Sequence, residues 1–335
     1  MQNRSSSFDA RLASIRRFAN VGRKLYSKST LKGLADRTLF VLRSMSCFAT
    51  ADEWYAWLDT PLMAPVARAN PSLYKKIIRP YLTPGLSNVE KLSSLQEHYR
   101  FLSSRLTRSA FIDVGTEHGL ELLRFTTVDG STFQLRCLSD GKFRKEGEQS
   151  LVLFSERHDV RVGSMTFVLV RQANGARVLL IGGAQGLPKH TDKSVIRDVT
   201  KSLHGLRPRA FLLFVAQQLA TAWQLGGLRA LGNATHVSRH LDYTLNRARR
   251  PRLAYDEFWL ESGGALAGDG LYDLPARHIA RQMSDIKTNK RSLYQQRYAL
   301  LDRFAVALQL GFARTGLADS GEHEPVQRSR ELAEI

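Results

Sequence analysis

Two glutamates that flank a single glycine are the first candidates for proton transfer. Glu146 and Glu148 belong to the segment Lys-Glu-Gly-Glu, which comes just before a β-rich run, and a carboxylate so placed can act as a general base. Farther along the chain, Tyr255, Asp256 and Glu257 stand among aromatic residues and fit either a structural or a catalytic role. No Gly-x-Ser-x-Gly motif accompanies them, so the residues predict no nucleophilic triad.

A glycine cluster ends an apolar run in the segment Val178-Leu-Leu-Ile-Gly-Gly-Ala-Gln-Gly186. Glycines expose backbone N–H groups and let a ligand approach closely, and the N-terminus of a following helix favours anions. A tight turn would explain the same pattern, so both interpretations stay open. The dinucleotide-binding and P-loop fingerprints are absent from the sequence. The candidate cofactor-binding residues of the cluster are Gly182, Gly183, Gln185 and Gly186.

A cationic segment, residues 200–209, is predicted to form a corner between two helices. Gly205 suits the end of the first helix, and Pro208 suits the first turn of the second. Because a helix N-terminus carries a partial positive charge, phosphate binding is the functional interpretation. The alternative is a capped corner whose arginines pair with carboxylates such as Asp198. The candidate phosphate-binding residues are Lys201, Gly205, Arg207 and Arg209, and His204 is a candidate catalytic residue.

The histidines and cysteines do not predict a metal site. His236 and His240 are four residues apart, a spacing that metal sites use on one face of a helix. No His-Glu-x-x-His pattern surrounds them, and we expect core or exposed histidines instead. Cys47 and Cys137 are ninety positions apart, which excludes a disulfide framework and favours a reducing compartment.

The net charge of +18, from 49 Lys+Arg and 31 Asp+Glu in 335 residues, predicts an anionic partner. A phosphate-bearing small molecule and an anionic membrane surface are the leading classes. Nucleic acid ranks last because no nucleic-acid-binding motif is present. Neither a secretory signal nor an apolar run of roughly 20 residues occurs, so we expect a cytoplasmic protein. The oligomeric state is left undetermined.

A basic amphipathic helix is predicted near the N-terminus. Residues 1–50 carry ten Lys/Arg and two Asp, and an apolar stripe repeats at three and four residues between positions 11 and 25. The helix either packs this stripe on the body, which we prefer, or lies on anionic lipid at the inner face of the inner membrane. Further helices are predicted around residues 34–48, 51–59 and 87–104.

The apolar pattern then changes to alternation, which predicts strands near 120–128, 132–137, 150–154, 161–170 and 178–181. Short turns such as Asp129-Gly130 between them predict antiparallel hairpins. Helical periodicity returns after Gly186, with a helix at 209–225, a strand at 228–231 and helices near 235–248, 252–262 and 276–310. The expected fold is α+β: a helical region at 1–105, a mixed-sheet domain at 106–310 and an acidic, disordered tail at 311–335.

Several blocks, in order, resemble the VirK/YbjX family of Gram-negative bacterial proteins. The blocks are Tyr74-Lys-Lys-Ile-Ile-Arg-Pro-Tyr81, the Glu-Gly-Glu of 146–148, residues 181–186, residues 200–208, Gly232-Asn with His236, Tyr255-Asp-Glu-Phe-Trp259, and the stretch from Lys290 to Leu301. The resemblance implies a cytoplasmic protein associated with virulence and with resistance of the envelope to antimicrobial peptides. It implies no particular biochemical activity.

The order of predicted elements is also similar to that of the GNAT acyltransferases. That resemblance implies a mixed, mainly antiparallel sheet and an acyl-CoA or acyl carrier protein thioester as donor. The phosphate loop would be the glycine cluster or the 205–209 corner, Tyr255 the general acid, and Glu146 or Glu148 the base for an acceptor amine. The chain departs from the pattern by having two helices, not one, after the glycine strand. The alternative is a non-enzymatic basic protein that binds an anionic membrane surface or a protein partner.

Overall fold

One mixed sheet of eight strands forms the centre of the computed structural model, which describes residues 2–188, 190–240 and 254–316. The strands are β1 Leu120–Thr126, β2 Thr132–Leu138, β3 Gln149–Ser155, β4 Val160–Arg171, β5 Arg177–Gln185, β6 Gly227–Leu231, β7 Ala265–Leu266 and β8 Leu271–Leu274. Their order across the sheet is β1-β2-β3-β4-β5-β6-β8-β7. The pairs are antiparallel except for β5 with β6, which is parallel. The predicted α+β class with a mixed, mainly antiparallel sheet is confirmed.

Tight turns hold the first five strands in a meander. Gly130, between β1 and β2, has a φ of +78°, and Gly175, between β4 and β5, has a φ of +82°. Side chains rarely adopt these angles, so glycine is needed at both turns. Eight consecutive residues of β4 are buried, and because side chains alternate between the faces of a strand, both faces of the sheet are covered there.

Six helices precede the sheet. They are α1 Gln2–Leu25, α2 Leu31–Ser46, α3 Phe48–Leu58, α4 Ala64–Ala69, α5 Asn88–Arg105 and α6 Arg108–Val114. The Thr30 side chain accepts a hydrogen bond from the Gly33 amide and so begins α2. Ser87 and Glu90 form a reciprocal capping box that begins α5. α1, α2, α3 and α5 end within a few residues of the predicted helices, although α1 begins earlier, whereas α4 and α6 were not predicted.

The second half of the apolar stripe of α1 packs on the body of the protein, whereas its first half, up to residue 15, is exposed. Phe18 is fully buried, and its ring meets the edge of the Tyr55 ring at a centroid distance of 5.4 Å. Val21 is also buried, and the Arg17 guanidinium donates to the Asp52 carboxylate at 2.6 Å. Side chains of α1 and of the sheet belong to the same hydrophobic core, so the boundary predicted at residue 105 does not separate two cores.

The helices after β5 differ in part from the prediction. They are α7 Lys193–Ser202, α8 Pro208–Ala222, α9 Tyr255–Glu261 and α10 Arg291–Thr315. The helix predicted at 235–248 is wrong over its described part, where Val237–Arg239 forms only a 3₁₀ turn, and its remainder lies outside the described residues. Residues 276–290 carry two short 3₁₀ turns instead of a helix, because Ile286 is the only buried side chain there and no apolar stripe is available to pack.

The C-terminal boundary also changes. The predicted acidic tail begins at residue 311, but Gly311 and Phe312 are buried parts of α10, which extends to Thr315. The rest of the tail, from residue 317, lies outside the described residues. Within the described residues, no helix combines the length and the apolar character that crossing a bilayer requires.

Candidate functional site

A gap opens in the sheet where β5 continues past the end of β6. The parallel pairing of these strands ends with Ile181 opposite Ala230. Beyond that point, β5 continues through Gln185 while paired with β4 on its other side. The β6 chain leaves the sheet after Leu231, and α9 begins at Tyr255. The side of β5 that lacks a strand partner is therefore open to side chains from elsewhere.

Three polar side chains meet at this gap. The Gln185 Nε2 donates to the Tyr255 hydroxyl at 2.6 Å and to Glu146 Oε2 at 3.2 Å. Glu146 comes from the loop before β3, Gln185 from the end of β5 and Tyr255 from the first turn of α9. Tyr255 is only 2% exposed. We call Glu146, Gln185 and Tyr255 the gap triad.

A buried histidine completes the surroundings of Glu146. His236 is 1% exposed, and its Nε2 lies 3.5 Å from Glu146 Oε1. Its Nδ1 accepts a hydrogen bond from the Ser238 amide at 3.1 Å. Because a backbone amide can only donate, Nδ1 is the acceptor there, and Nε2 is the ring nitrogen that faces the carboxylate. Nε2 makes no hydrogen bond among the described residues, so His236 contacts Glu146 without fixing its carboxylate.

The two glycines of β5 make room for Glu146. A β-carbon on Gly182 would collide with the Glu146 carbonyl oxygen, and one on Gly183 would collide with the Glu146 carboxylate. Both positions are buried within the strand. Their lack of side chains is explained by this close approach, whereas Gly186, just past the strand, lines the neighbouring cleft.

The gap holds the Tyr255 hydroxyl in its protonated form. Burial and, next, the nearby Glu146 carboxylate raise the pKa of Tyr255 above its usual range, and Arg209 partly opposes them. A tyrosine in this state can donate a proton to a developing anion. Arg209 is also the residue that joins the gap triad to the cleft, because it lies beside Gly186.

A cleft of about 1830 Å³ extends from Gly186 along the N-terminus of α8 to α9 and α10. Its described lining includes two carboxylates, Glu257 and Glu261. Eight cationic side chains line it: Lys193, Arg197, Lys201, Arg207, Arg209, Arg281, Lys290 and Arg297. Pro208 is at the first helical position of α8, so the free N–H groups of that helix face the same cationic region. The arrangement suits an anionic ligand.

Comparisons with known proteins identify the family. The family model described as "Protein of unknown function (DUF535)" matches residues 29–309. The chain belongs to the DUF535 family. It is 30% identical over 267 residues to the uncharacterized protein YbjX of Escherichia coli strain K12, covering 79% of this chain and 80% of that protein. An uncharacterized protein of Haemophilus influenzae is 26% identical over 234 residues, or 70% of this chain and 75% of its own length. The predicted VirK/YbjX resemblance is confirmed.

The DUF535 match contains the whole gap triad and the described cleft lining, whereas α1 precedes it. Of the residues predicted from sequence, Gly186, Lys201, Gly205, Arg207 and Arg209 all line the cleft. His204 is at the corner before α8 with a left-handed φ of +48°. Its carbonyl accepts a hydrogen bond from Arg297 Nε at 3.1 Å, so its backbone helps to hold the cleft wall.

Glu148 lies in surroundings different from those of Glu146. Its side chain is fully buried, and its Oε1 pairs with Lys76 Nζ at 2.8 Å. Its Oε2 accepts a hydrogen bond from the Tyr99 hydroxyl at 2.8 Å. Lys76 also donates to the carbonyls of Arg144 and Gly147 at 2.7 and 2.9 Å. The two glutamates predicted as alternative bases are thus separated, and Glu148 serves a buried structural network.

Three contributors to this DUF535 site were missed by the sequence reasoning. His236 was expected to be a core or exposed histidine rather than a metal ligand, and it is buried, but its contact with Glu146 was not foreseen; its place among the blocks that resemble the family was the available signal. Arg297 and Arg281 reach the cleft from the basic C-terminal stretch, although no local pattern links them to α8. Among the described residues, no group of three or more His, Cys, Asp or Glu side chains is arranged to hold a metal ion.

Proposed function

We propose that the protein is an acyltransferase that binds an acyl-thioester donor, acyl-CoA or acyl carrier protein, in the cationic cleft. The acceptor would be an amine or hydroxyl group of an envelope component or its precursor. The observation that carries the proposal is the gap triad, which lies directly beside the cleft where β5 extends beyond its pairing with β6. An envelope acceptor also fits the virulence and peptide-resistance association that the VirK/YbjX resemblance implies.

The sheet order supports the GNAT likeness on which this proposal draws. An antiparallel meander leads to a parallel pair, β5 and β6, with helices between them, and an antiparallel pair follows. In the GNAT pattern, the donor lies where the two parallel strands part. Here the strands part after Ile181, and the cleft begins at Gly186. Fold likeness alone does not establish activity, so the side chains must carry the argument.

The cleft chemistry supports a phosphate-bearing donor. Arg207 occupies the N-cap position of α8, where its side chain makes no capping hydrogen bond, and Arg209 follows in the first turn. Guanidinium groups bind phosphate oxygens through paired hydrogen bonds, and free helix N–H groups add further donors. A cleft of about 1830 Å³ exceeds the roughly 300–1000 Å³ of ordinary ligand pockets and could hold a nucleotide with an extended arm.

The gap triad offers both proton transfers that acyl transfer needs. The acceptor amine attacks the thioester carbonyl carbon, the carbon–sulfur bond breaks, and Tyr255 gives its proton to the leaving thiolate. Glu146, held by the hydrogen bond from Gln185, takes the proton from the acceptor nitrogen. Burial raises the pKa of Tyr255, so the tyrosinate that forms takes up the proton that Glu146 has accepted. The net change moves one proton from amine to thiol.

Coenzyme A binding tests the proposal. Isothermal titration of the intact protein with CoA and with a long-chain acyl-CoA is expected to show binding. Arg207→Ala should weaken it at least tenfold, because a hydrogen bond to a charged group contributes about 1.5–3 kcal/mol. Arg303→Ala, which removes an equally exposed charge from α10 outside the cleft, is the control. The same titration with an acyl carrier protein distinguishes the two donors. If the protein binds neither the CoA compounds nor the acyl carrier protein, the proposal is contradicted.

A second candidate function, docking on an anionic membrane, is favoured by one observation on α2. Leu31, Leu34, Leu42 and Met45 repeat at helical spacing, yet they are exposed, at 88%, 52%, 61% and 40%. Exposed cations accompany them: Arg23, Lys24, Lys28, Lys32 and Arg43. An apolar stripe bordered by cations suits the interface of an anionic bilayer. The lipid-facing helix would then be α2, since α1 packs the second half of its own stripe inward.

Sedimentation with phosphatidylglycerol vesicles tests this candidate. The double variant Leu34→Glu/Leu42→Glu should bind at least tenfold more weakly, because each change removes an apolar contact and adds a charge that the lipid repels. Both side chains are exposed, so the melting temperature should barely change. The control is Val306→Glu/Leu310→Glu, which makes the same kind of change at exposed positions of α10. Equal binding by the two double variants would exclude a specific role for α2.

A further inference from the structure

A small cationic pocket lies apart from the cleft, at the block Tyr74-Lys-Lys-Ile-Ile-Arg-Pro-Tyr81. Its enclosed volume is about 10 Å³, roughly the space of one water molecule, so the pocket is a shallow depression rather than a deep cavity. Its lining consists of Ser72, Lys75, Lys76, Arg79, Pro80, Tyr81, Arg144 and Lys145. Five of these eight residues are cations, and none of the eight lines the cleft. We call this the Arg79 pocket.

Most of the charge in the Arg79 pocket is not neutralised by protein carboxylates. Lys76 pairs with Glu148, but among the described residues no carboxylate makes an ion pair with Lys75, Arg79 or Arg144. Instead, the Lys75 ammonium lies 4.4 Å from the centre of the Tyr26 ring. All three side chains are half-buried. Taking a charge partly out of water without an opposite charge is unfavourable, so these half-buried cations favour an anionic ligand.

The cations of the Arg79 pocket also repel one another. Burial and then the neighbouring Arg144 lower the pKa of Arg79, and Arg43 of α2 adds a smaller effect of the same sign. The Tyr26 hydroxyl opposes these effects. An anion in the pocket would relieve this repulsion, so its binding is favoured by charges that the fold has already brought together.

Buried lysines hold the pocket in place. Lys91 Nζ donates to the carbonyls of Ile77 and Arg79 at 3.1 and 2.8 Å, which fixes the chain that carries Arg79. Lys76 Nζ donates to the Arg144 carbonyl at 2.7 Å, which fixes the opposite wall. The backbone that carries both guanidinium groups is therefore fixed, and preorganisation of this kind increases affinity.

We propose that the Arg79 pocket binds the phosphate group of a ligand, with Arg79, Arg144 and Lys75 as its donors. Planar guanidinium groups match the oxygens of phosphate, and because the enclosed volume is only about that of one water, the phosphate would lie at the mouth of the pocket with the rest of the ligand outside. The ligand is either a free phosphate compound or the headgroup of a lipid. The proposal is independent of acyl transfer, because the pocket and the cleft share no lining residue.

Titration with inorganic phosphate at constant ionic strength tests the pocket directly. The experiment uses full-length Arg207→Ala protein, so that the cleft contributes less. In this background, Arg79→Gln/Arg144→Gln is expected to bind phosphate at least tenfold more weakly. The charge-matched control, Arg124→Gln/Arg303→Gln, removes two exposed arginines elsewhere and should bind as the background protein does. Vesicles of phosphatidylglycerol, compared with phosphatidylcholine, form the second arm.

The two arms separate the sources of the phosphate. Loss of inorganic phosphate binding without a change in vesicle binding supports a free phosphate ligand, and loss of vesicle binding beyond that of the control supports a lipid headgroup. Equal phosphate and vesicle binding by the pocket variant and its control would overturn the proposal. If the double variant does not fold, the same titrations are made with Lys75→Gln, because the Lys75 ammonium contacts the Tyr26 ring and forms no ion pair among the described residues.

Discussion

Replacing Lys76 by methionine is expected to lower the free energy of unfolding by about 3–5 kcal/mol, because it leaves a buried carboxylate without its counter-charge. Lys76 and Glu148 side chains are 4% and 0% exposed, and their charged atoms lie 2.8 Å apart. Lys76 also holds two backbone carbonyls of the loop that leads to Glu148. Urea denaturation at neutral pH, followed by circular dichroism, measures the change.

A second substitution separates the buried charge from the lost packing. Lys76→Met/Glu148→Gln should recover a large part of the stability, since the neutral amide needs no counter-charge and can still accept from Tyr99. Arg124→Met is the matched control, because Arg124 pairs with Glu121 and Glu156 at the surface and exposed pairs contribute little. A Lys76→Met protein no less stable than the Arg124→Met protein would refute the buried-pair argument.

Tyr255→Phe is expected to lower the rate of acyl transfer by about 10²–10⁴-fold, the usual contribution of a general acid. Donor binding should change little, since the cations that line the cleft remain. The measurement is thiol release from acyl-CoA in single-turnover conditions, with an amine acceptor. Because burial raises the pKa of Tyr255, activity of the unmodified enzyme should persist at a pH where an ordinary tyrosine would have lost its proton.

The control for this prediction is another tyrosine hydroxyl. Tyr74 donates to Asp59 at 2.9 Å within the helical region, so Tyr74→Phe removes a hydroxyl without touching the gap triad. Its acyl-transfer rate should match that of the unmodified protein. A Tyr255→Phe enzyme that releases thiol at the same rate would remove Tyr255 from the chemistry. It would leave donor binding in the cleft as a separate question.

Local patterns predicted the elements well wherever one periodicity dominates. β2 alternates over most of its length and β4 in part, and both lie within a residue or two of the predicted runs. By contrast, β7 and β8 are two and four residues long, and such short strands exist only because β8 pairs with β6. The loop at 276–290 is rich in charged residues that suit a helix, but it has no apolar face to bury.

The candidate site was predictable only in its separate pieces. Glu146, Gln185 and Tyr255 could each be selected by type and by position beside a strand or helix. Nothing local distinguished Glu146 from Glu148, because the two differ in what they meet after folding: the gap in one case and Lys76 in the other. Likewise, Gly182 and Gly183 suggested a phosphate loop, whereas both are in close contact with Glu146, 36 and 37 residues earlier in the chain, through its carbonyl and its carboxylate.

The sequence by itself determined the α+β class, the meander, the corner before α8, the cationic character and the family of this protein, because each is written in neighbouring residues or in an ordered set of blocks. Only the tertiary structure decided which carboxylate faces Tyr255, which helix exposes its apolar stripe, and where cations collect without counter-charges. These features depend on contacts between residues far apart in the chain, and burial, distance and charge pairing exist only once the core has brought those residues together.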